Sequence, residues 1–148
     1  MGRVRSLLAL PAGDQLRVLA AAALLASLPV ILRLVSFVRV RRALLWGGRQ
    51  VGRGRRGDPK HARVVSAVGA ADRGLPGGRK CLTRSLAAEA LLRAYGYAPE
   101  HRIGVAKEDN GGLQAHSWLE LDGDIILGDL DDLSRFDPLP SLDAVERL

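Results

Sequence analysis

Residues 80–129 read KCLTRSLAAEALLRAYGYAPEHRIGVAKEDNGGLQAHSWLELDGDIILGD, and the fold class can be predicted from them. Its first part spaces apolar side chains three and four residues apart, which predicts a buried helix over residues 80–95. Gly96 predicts a left-handed cap, and Pro99 prevents the helix from resuming. The strand-like runs that follow are 101–107, 113–121 and 124–129. One helix followed by a small antiparallel sheet indicates an α+β fold.

The dipeptide Asp122-Gly123 between the last two runs is a strong signal for a two-residue hairpin. With that turn, the two residue numbers of each cross-strand pair add up to 245. The expected pairs are Leu121 with Asp124, Trp118 with Leu127, and His116 with Asp129. Opposed side chains project on the same face with Cβ atoms about 5 Å apart. Asp129 would therefore hold one imidazole nitrogen of His116, unless a bulge or a one-residue slip changes the register.

Cys81, the one cysteine of the chain, stands at the start of the predicted helix, directly after Lys80. Unpaired N–H groups and the positive helix end favour a thiolate there, and the Cys81 N–H would contribute to an oxyanion hole. A helix-start cysteine, a strand histidine and a carboxylate on the next strand form the arrangement of papain-type and transglutaminase-type thiol enzymes. We therefore predict Cys81 as nucleophile, His116 as base and Asp129 as its orienting carboxylate.

Each of these candidates also has an ordinary structural explanation. A lone cysteine is often a small buried apolar residue, and a lone histidine on a strand is often structural. Asp129 also begins an acidic loop. His61 and His101 are alternative bases, although the sequence places no carboxylate opposite either of them.

The composition limits the cofactors that the chain can use. Its 148 residues fit one domain with one modest core. A single cysteine excludes an internal disulfide and suits a reducing compartment. The three histidines lack the spacing of metal ligands, so we expect no metal, and thiol hydrolysis needs no organic cofactor.

Positive charge is concentrated in the first half of the chain. Residues 1–73 hold 14 Lys/Arg against 3 Asp/Glu, a balance of +11, and residues 74–148 hold 8 against 13, a balance of −5. The basic half suits an acidic partner, an anionic membrane or nucleic acid. We predict no nucleic-acid partner, because aromatic residues are few and no recognised motif accompanies the charge.

The apolar, arginine-interrupted segment 16–46 predicts one or two helices, split near Pro29, that pack on the catalytic part. Its apolar run Val18–Leu32 is short for a membrane span, which needs about 20 residues. Membrane-surface contact or a signal peptide are the alternatives. The Gly- and Arg-rich residues 47–60 predict a linker.

These segments divide the chain into two parts. Residues 1–60 are an N-terminal helical segment and linker that we expect to dock a partner, and residues 61–148 are the catalytic core. The core is predicted to begin with a short helix over 61–72, and the chain to end in a short helix from Ser141.

Residues 80–123 resemble the bacterial transglutaminase-like proteases of lasso-peptide maturation. The matching positions are Cys81-Leu82, Arg84-Ser85, Gly96, Ile103-Gly104-Val105, the run AHSWLE at 115–120 and Asp122-Gly123. Two positions depart from the pattern. The stretch GLPGGRK before the cysteine lacks the glutamine that papain-like enzymes often use as an oxyanion donor, and Ser117 stands where the family commonly has a residue such as alanine.

The resemblance implies a papain/transglutaminase-like core, with a central cysteine helix packed on a small antiparallel sheet that carries the histidine and aspartate. It implies a stand-alone Cys-His-Asp leader peptidase of the cytoplasm, with membrane association as the alternative location. Its partners would be a precursor leader peptide, a small leader-recognition protein and a lasso cyclase. The alternative functions are a thiol acyltransferase or amidase of the same fold, and a non-enzymatic adaptor.

Overall fold

The computed structural model describes residues 2–52, 60–78 and 80–143. The helices are α1 (Gly2–Leu8), α2 (Ala12–Leu34), α3 (Phe37–Gly52), α4 (His61–Gly74) and α5 (Cys81–Ala94). The strands are β1 (Glu100–Lys107), β2 (Leu113–Leu121), β3 (Asp124–Leu127) and β4 (Asp137–Pro138), with a 3-10 helix at Leu133–Arg135. The helices form one layer, and the antiparallel strands form the other in the order β3-β2-β1-β4.

Helix α5 lies at the centre of the molecule, as its apolar pattern predicts. Its residues Leu86, Ala87 and Leu92 are fully buried, and it packs against α2, α3, α4 and β2. Gly96 ends it with a φ of 86°, the left-handed value expected of a C-terminal cap. The predictions of a central helix and of its glycine cap are therefore confirmed.

The N-terminal helices contribute to the same core. Leu25 and Leu28 of α2 and Val40 of α3 pack in one cluster with Leu86 and Leu92 of α5. Helix α4 adds a further buried face, and its bounds confirm the short helix that the sequence predicts there. Burial of apolar surface by all four long helices thus builds a single core.

The break between α2 and α3 lies at Val35 and Ser36, so the predicted split near Pro29 is wrong. Pro29 removes one backbone hydrogen bond, to the carbonyl of Leu25, while burial of Leu25 and Leu28 holds the helix on the core across that gap. The predicted linker is wrong in its first residues, because α3 continues to Gly52. Residues 53–59 of that linker lie outside the described residues.

Helix α2 is also longer than its most apolar run. At 23 residues, with a mean hydropathy of 1.9 in its most apolar window, it is long and apolar enough to cross a membrane. Core helices of soluble proteins and signal sequences meet the same criteria. One side of the helix packs on the core, and the opposite side, here named the outer face of α2, is exposed. The large residues of that face are Leu16, Leu19, Val30 and Leu34.

The sheet confirms the three predicted strands and the hairpin between β2 and β3. Strand β2 spans the predicted residues 113–121, and β1 begins one residue before its predicted start. Asp122 and Gly123 have φ values of 52° and 87°, which is the left-handed pair that a type I′ turn requires. A type I′ turn matches the twist of the flanking strands and joins them directly.

The register beyond the turn differs from the prediction. Leu121 pairs with Asp124 as expected, but a bulge between Leu119 and Glu120 places Leu119, not Trp118, opposite Leu127. Ile126 is an extra residue on β3, between the partners of the adjacent Leu119 and Glu120, so the pairing shifts by one, and β3 ends at Leu127. The predicted cross-strand pairing of His116 with Asp129 is therefore wrong.

The chain after β3 returns to the free edge of β1. Asp137 of β4 pairs with Val105, and Phe136 before it is buried. Residues 142–143 are helical, and the rest of the predicted C-terminal helix lies outside the described residues. Asp143 reaches back to the helical layer, where its carboxylate accepts a hydrogen bond from Arg41 at 2.8 Å.

Candidate active site

Cys81 is the first residue of α5 and is partly buried. The first N–H groups of a helix have no acceptor within the helix, and Lys80 at the cap position makes no side-chain capping bond. These N–H groups and the positive end of the helix dipole stabilise an anion at the helix start. Cys81 therefore stands at a helix end that can stabilise a negative charge formed beside it.

His116 lies on β2, and its ring is held by a backbone carbonyl. Nε2 lies 2.6 Å from the carbonyl oxygen of Gly128. A carbonyl oxygen accepts hydrogen bonds but cannot donate one, so Nε2 carries the proton. In the neutral ring, Nδ1 then presents its lone pair, which is the arrangement that a general base needs.

Two aromatic rings fix the tilt of the His116 ring. The indole of Trp118 stacks beside it at 6.1 Å and an interplanar angle of 17°, and the ring of Phe136 lies 5.5 Å away. Gly104 on β1 makes room for the indole, since a Cβ there would lie 2.9 Å from it. This glycine therefore has a packing role beside the site.

Gly128 is a site residue that the sequence analysis missed. Its φ is 86°, and a Cβ would lie 2.8 Å from the Ser117 carbonyl oxygen and 2.9 Å from the Trp118 Cβ. Only glycine fits both the left-handed backbone and this close approach. A glycine at the end of a strand pattern signals a bulge or a close backbone contact, so the sequence did carry a signal for this position.

Cys81, His116 and Asp129 line one cavity of about 240 Å³. Arg84, one turn after the cysteine, lines it as well. Asp129 is exposed, and the acceptor that meets Nε2 of His116 is the neighbouring Gly128 carbonyl, not the Asp129 carboxylate. The structure thus brings the three predicted residues to one cavity, but places a backbone group in the orienting position.

The other two histidines lie apart from this cavity. His61, at the start of α4, packs edge-on against Tyr97. His101 is fully buried between β1 and α5, where its Nδ1 donates a hydrogen bond to Oε2 of Glu89 at 2.8 Å. The carboxylate partner of His101 is therefore on the helix, where cross-strand pairing could not find it.

Glu89 is itself fully buried, and its carboxylate accepts hydrogen bonds from the side chains of Arg41 and His101. Arg41 of α3 donates to its Oε1 at 2.6 Å. Burial acts to raise the pKa of Glu89, but the hydrogen bonds from His101 and Arg41 outweigh it and leave the pKa below its ordinary range. A glutamate within an apolar helical stripe was the sequence signal for this buried network.

A larger cavity, of about 340 Å³, opens between the start of α2 and α4. Its walls are mostly apolar, with the Asp14–Arg63 ion pair at 2.6 Å beside them. Its described lining residues include no cysteine and no histidine, so of these two cavities the smaller one holds the groups needed for thiol chemistry. Among the described residues, no group of three or more His, Cys, Asp and Glu side chains could hold a metal ion.

The model of one protein family, the transglutaminase-like superfamily, matches residues 22–141. The match begins within α2 and ends after β4, so it includes the helical layer, the sheet and the residues of the smaller cavity. No curated protein and no solved structure matches the chain. The predicted α+β fold with a transglutaminase-like core is therefore confirmed.

Proposed function

Because the chain belongs to the transglutaminase-like superfamily, we propose that it is a cysteine peptidase that removes the leader from a ribosomally made lasso-peptide precursor. The observation that carries this proposal is the convergence of Cys81, His116 and Asp129 on one open cavity. The resemblance of residues 80–123 to lasso leader peptidases supplies the substrate class. We expect the protein to act in the cytoplasm.

The reaction would proceed through an acyl-enzyme. The Cys81 thiolate attacks the carbonyl carbon at the leader–core junction, and His116 donates its proton to the departing amine of the core. The leader is then held as a thioester. His116 next removes a proton from water, whose oxygen attacks the thioester, and the leader leaves with a free carboxyl group while the thiol is restored.

The geometry of His116 supports these proton transfers. Its Nε2 is committed to the Gly128 carbonyl, so Nδ1 is the nitrogen that takes and returns the proton. The N–H groups at the start of α5 would stabilise the oxyanion that forms on the scissile carbonyl. Asp129, at the cavity wall, is proposed as the carboxylate that supports the imidazolium once it forms.

The test is cleavage of a synthetic lasso-peptide precursor, incubated with the protein and a leader-recognition protein and followed by mass spectrometry. We expect a core peptide and a leader whose summed mass exceeds the precursor by one water. Cys81→Ala and His116→Ala should each lower the rate at least about 10³-fold, while Thr83→Ser, on the same helix, should not. A Cys81→Ala protein that still cleaves the precursor would refute the proposal.

The same thiol chemistry would serve an acyltransferase, in which an amine replaces water as the acceptor, or an amidase, in which water is the acceptor but the amide cleaved is not the leader–core bond. Because the peptidase and the acyltransferase would use the same nucleophile and base, the product mass is the discriminating measurement. A leader product that carries the mass of the amine instead of the mass of water would identify the protein as a transferase rather than a peptidase.

We further propose that the outer face of α2 docks the small leader-recognition protein. Leu19 and Val30 are both 57% exposed and lie on the same side of a 23-residue helix. Arg33 and Arg39 extend positive charge from its C-terminal end. An apolar stripe with a basic end fits a partner surface with apolar and acidic groups. A lasso cyclase would act afterwards on the released core amine.

Surface variants test this docking better than a deletion of residues 16–46, which would also remove Leu25 and Arg41 from the core. Leu19→Glu with Val30→Glu should abolish binding of the recognition protein in calorimetry and leave the melting temperature within about 2 °C. The matched control is Leu113→Glu, an exposed leucine on the sheet. Binding to anionic vesicles, lost in the same double variant, would instead assign this face to a membrane.

A further inference from the structure

Three residues of α5 lie four apart and face the sheet: Cys81, Ser85 and Glu89. Cys81 lines the smaller cavity. Ser85 and Glu89, one and two turns further along, are buried. Both of these polar groups reach across to the strands, so the nucleophile shares its helix face with two buried hydrogen-bonding groups.

The hydrogen bonds of these groups meet at Ser117, the residue that follows His116. Glu89 accepts from His101 Nδ1, and His101 Nε2 lies 2.7 Å from the Ser117 hydroxyl. Ser85 donates its hydroxyl proton to the Ser117 carbonyl oxygen at 3.3 Å. Ser117 is thus linked to α5 through both its side chain and its backbone.

Resting on the proposed peptidase function, we propose that the Glu89–His101–Ser117 chain positions His116 relative to Cys81. The nucleophile and the base lie on different elements, α5 and β2, so their separation depends on how these elements sit on each other. Burial of apolar surface is not directional, whereas hydrogen bonds between buried groups are satisfied only in a narrow range of placements. Ser117 is therefore a positioning residue.

The hydrogen-bonded series Glu89–His101–Ser117 is not a second catalytic triad, although it joins a serine, a histidine and a glutamate. Glu89 and His101 are fully buried, and Ser117 is 2% exposed. A substrate carbonyl cannot reach the Ser117 hydroxyl in that setting. The charged groups around Glu89 are Arg41 of α3, Arg93 of α5 and Asp143 near the C-terminus. These groups close the network on its far side.

The test uses Cys81 as its own reporter, because it is the only cysteine in the chain. The rate of iodoacetamide alkylation is measured against pH for the full chain. In the wild type we expect the alkylation profile to differ from that of His116→Ala, because the proposed mechanism requires the imidazole to exchange a proton with the thiol. Ser117→Ala should move the alkylation profile towards that of His116→Ala.

The same variant should lower kcat for precursor cleavage about tenfold with little change in KM. Ser117→Thr, which keeps the hydroxyl, should restore both the alkylation profile and kcat. The matched control is Val68→Ala, a buried truncation in α4 outside the network, which should lower the melting temperature but leave the profile in place.

Two outcomes would overturn the positioning role. One is a Ser117→Ala protein with a wild-type alkylation profile and wild-type kcat. The other is a wild-type protein whose alkylation profile matches that of His116→Ala, since there would then be no contact between imidazole and thiol to position. A wild type whose profile differs from that of His116→Ala, but which fails to cleave the precursor, would leave the positioning role intact and reject the substrate class alone.

Discussion

The sheet carries two histidines in two different environments. On what is here named the open side, His116 of β2 lines a cavity with Cys81, and its ring is held by the Gly128 carbonyl. On the buried side, His101 of β1 is enclosed against α5 and paired with the carboxylate of Glu89. The histidine with the stronger hydrogen-bond partner is the one that no substrate can reach. Access, rather than the quality of the partner, decides which histidine is the candidate base.

The difference also separates the energetic roles of the two sides. A buried, fully paired network contributes to a single packing of helix on sheet. An open cavity with an exposed carboxylate contributes little to stability and is free for substrate. Mutations on the buried side should therefore mainly lower stability, with Ser117 also affecting the chemistry through the position of His116, whereas mutations on the open side should mainly change the chemistry.

The largest effect on stability is expected from Glu89→Ala. This change leaves Arg41 and His101 buried without their shared carboxylate, and breaking such a pair costs about 3–5 kcal/mol. Urea unfolding should show this loss. The control is Asp132→Ala, which removes an exposed ion pair with Arg135 and should cost at most about 1 kcal/mol. Equal losses in the two variants would contradict the division between the two sides.

Acid should weaken the buried side before it affects the fold elsewhere. The pKa values of Glu89 and Asp143 both lie below their ordinary range. Burial raises the pKa of Glu89, but hydrogen bonds from His101 and Arg41 outweigh it. Burial also raises the pKa of Asp143, but the hydrogen bond from Arg41 helps to outweigh it. A lowered folded-state pKa gives stability that is present above the unfolded-state pKa of about 4 and is lost as the pH falls through the folded value.

Thermal unfolding measured from pH 7 to pH 2 should therefore show a steep fall below about pH 4. In Glu89→Gln that fall should be shallower, because one of the two linked carboxyl groups no longer titrates. An unchanged slope in this variant would exclude Glu89 as a source of the acid sensitivity.

Gly128→Ala should disturb the open side through its backbone. Forcing alanine into a left-handed conformation costs about 1–2 kcal/mol, and the new Cβ would collide with the Ser117 carbonyl. We expect precursor cleavage to slow as the Gly128 carbonyl shifts from Nε2 of His116. The matched control is Gly123→Ala, which has a similar φ of 87° but open space around its Cβ. If both variants cleave the precursor equally well, the Gly128 carbonyl does not orient the base.

The smallest effect is expected from Asp129→Asn. Because the Gly128 carbonyl already holds Nε2 of His116, the loss of the carboxylate should lower kcat by no more than about tenfold. A triad aspartate in direct contact with its histidine is worth about 10⁴ in kcat. A loss of that size would mean that Asp129 moves onto His116 when the precursor binds, and steady-state kinetics on the purified variant would show it.

The sequence predicted those features that depend on local pattern. The spacing of apolar residues determined α5 and its burial, Gly96 determined its cap, and Asp122-Gly123 determined the hairpin and the first pair, Leu121 with Asp124. These features follow from the 3.6 and 2.0 periods and from the backbone freedom of glycine, which act over a few residues. The candidate nucleophile and base were chosen on the same local grounds.

The tertiary structure alone decided what stands around those residues. The bulge opposite Leu119 and Glu120 broke the register that would have placed Asp129 opposite His116, and the carbonyl of Gly128, beyond the end of β3, meets the imidazole instead. Packing of α3 and α5 on the sheet joined Arg41, Glu89, His101 and Ser117, which lie far apart along the chain. Hydrogen bonds across such distances in sequence depend on how whole elements pack. No periodicity within one element encodes that placement.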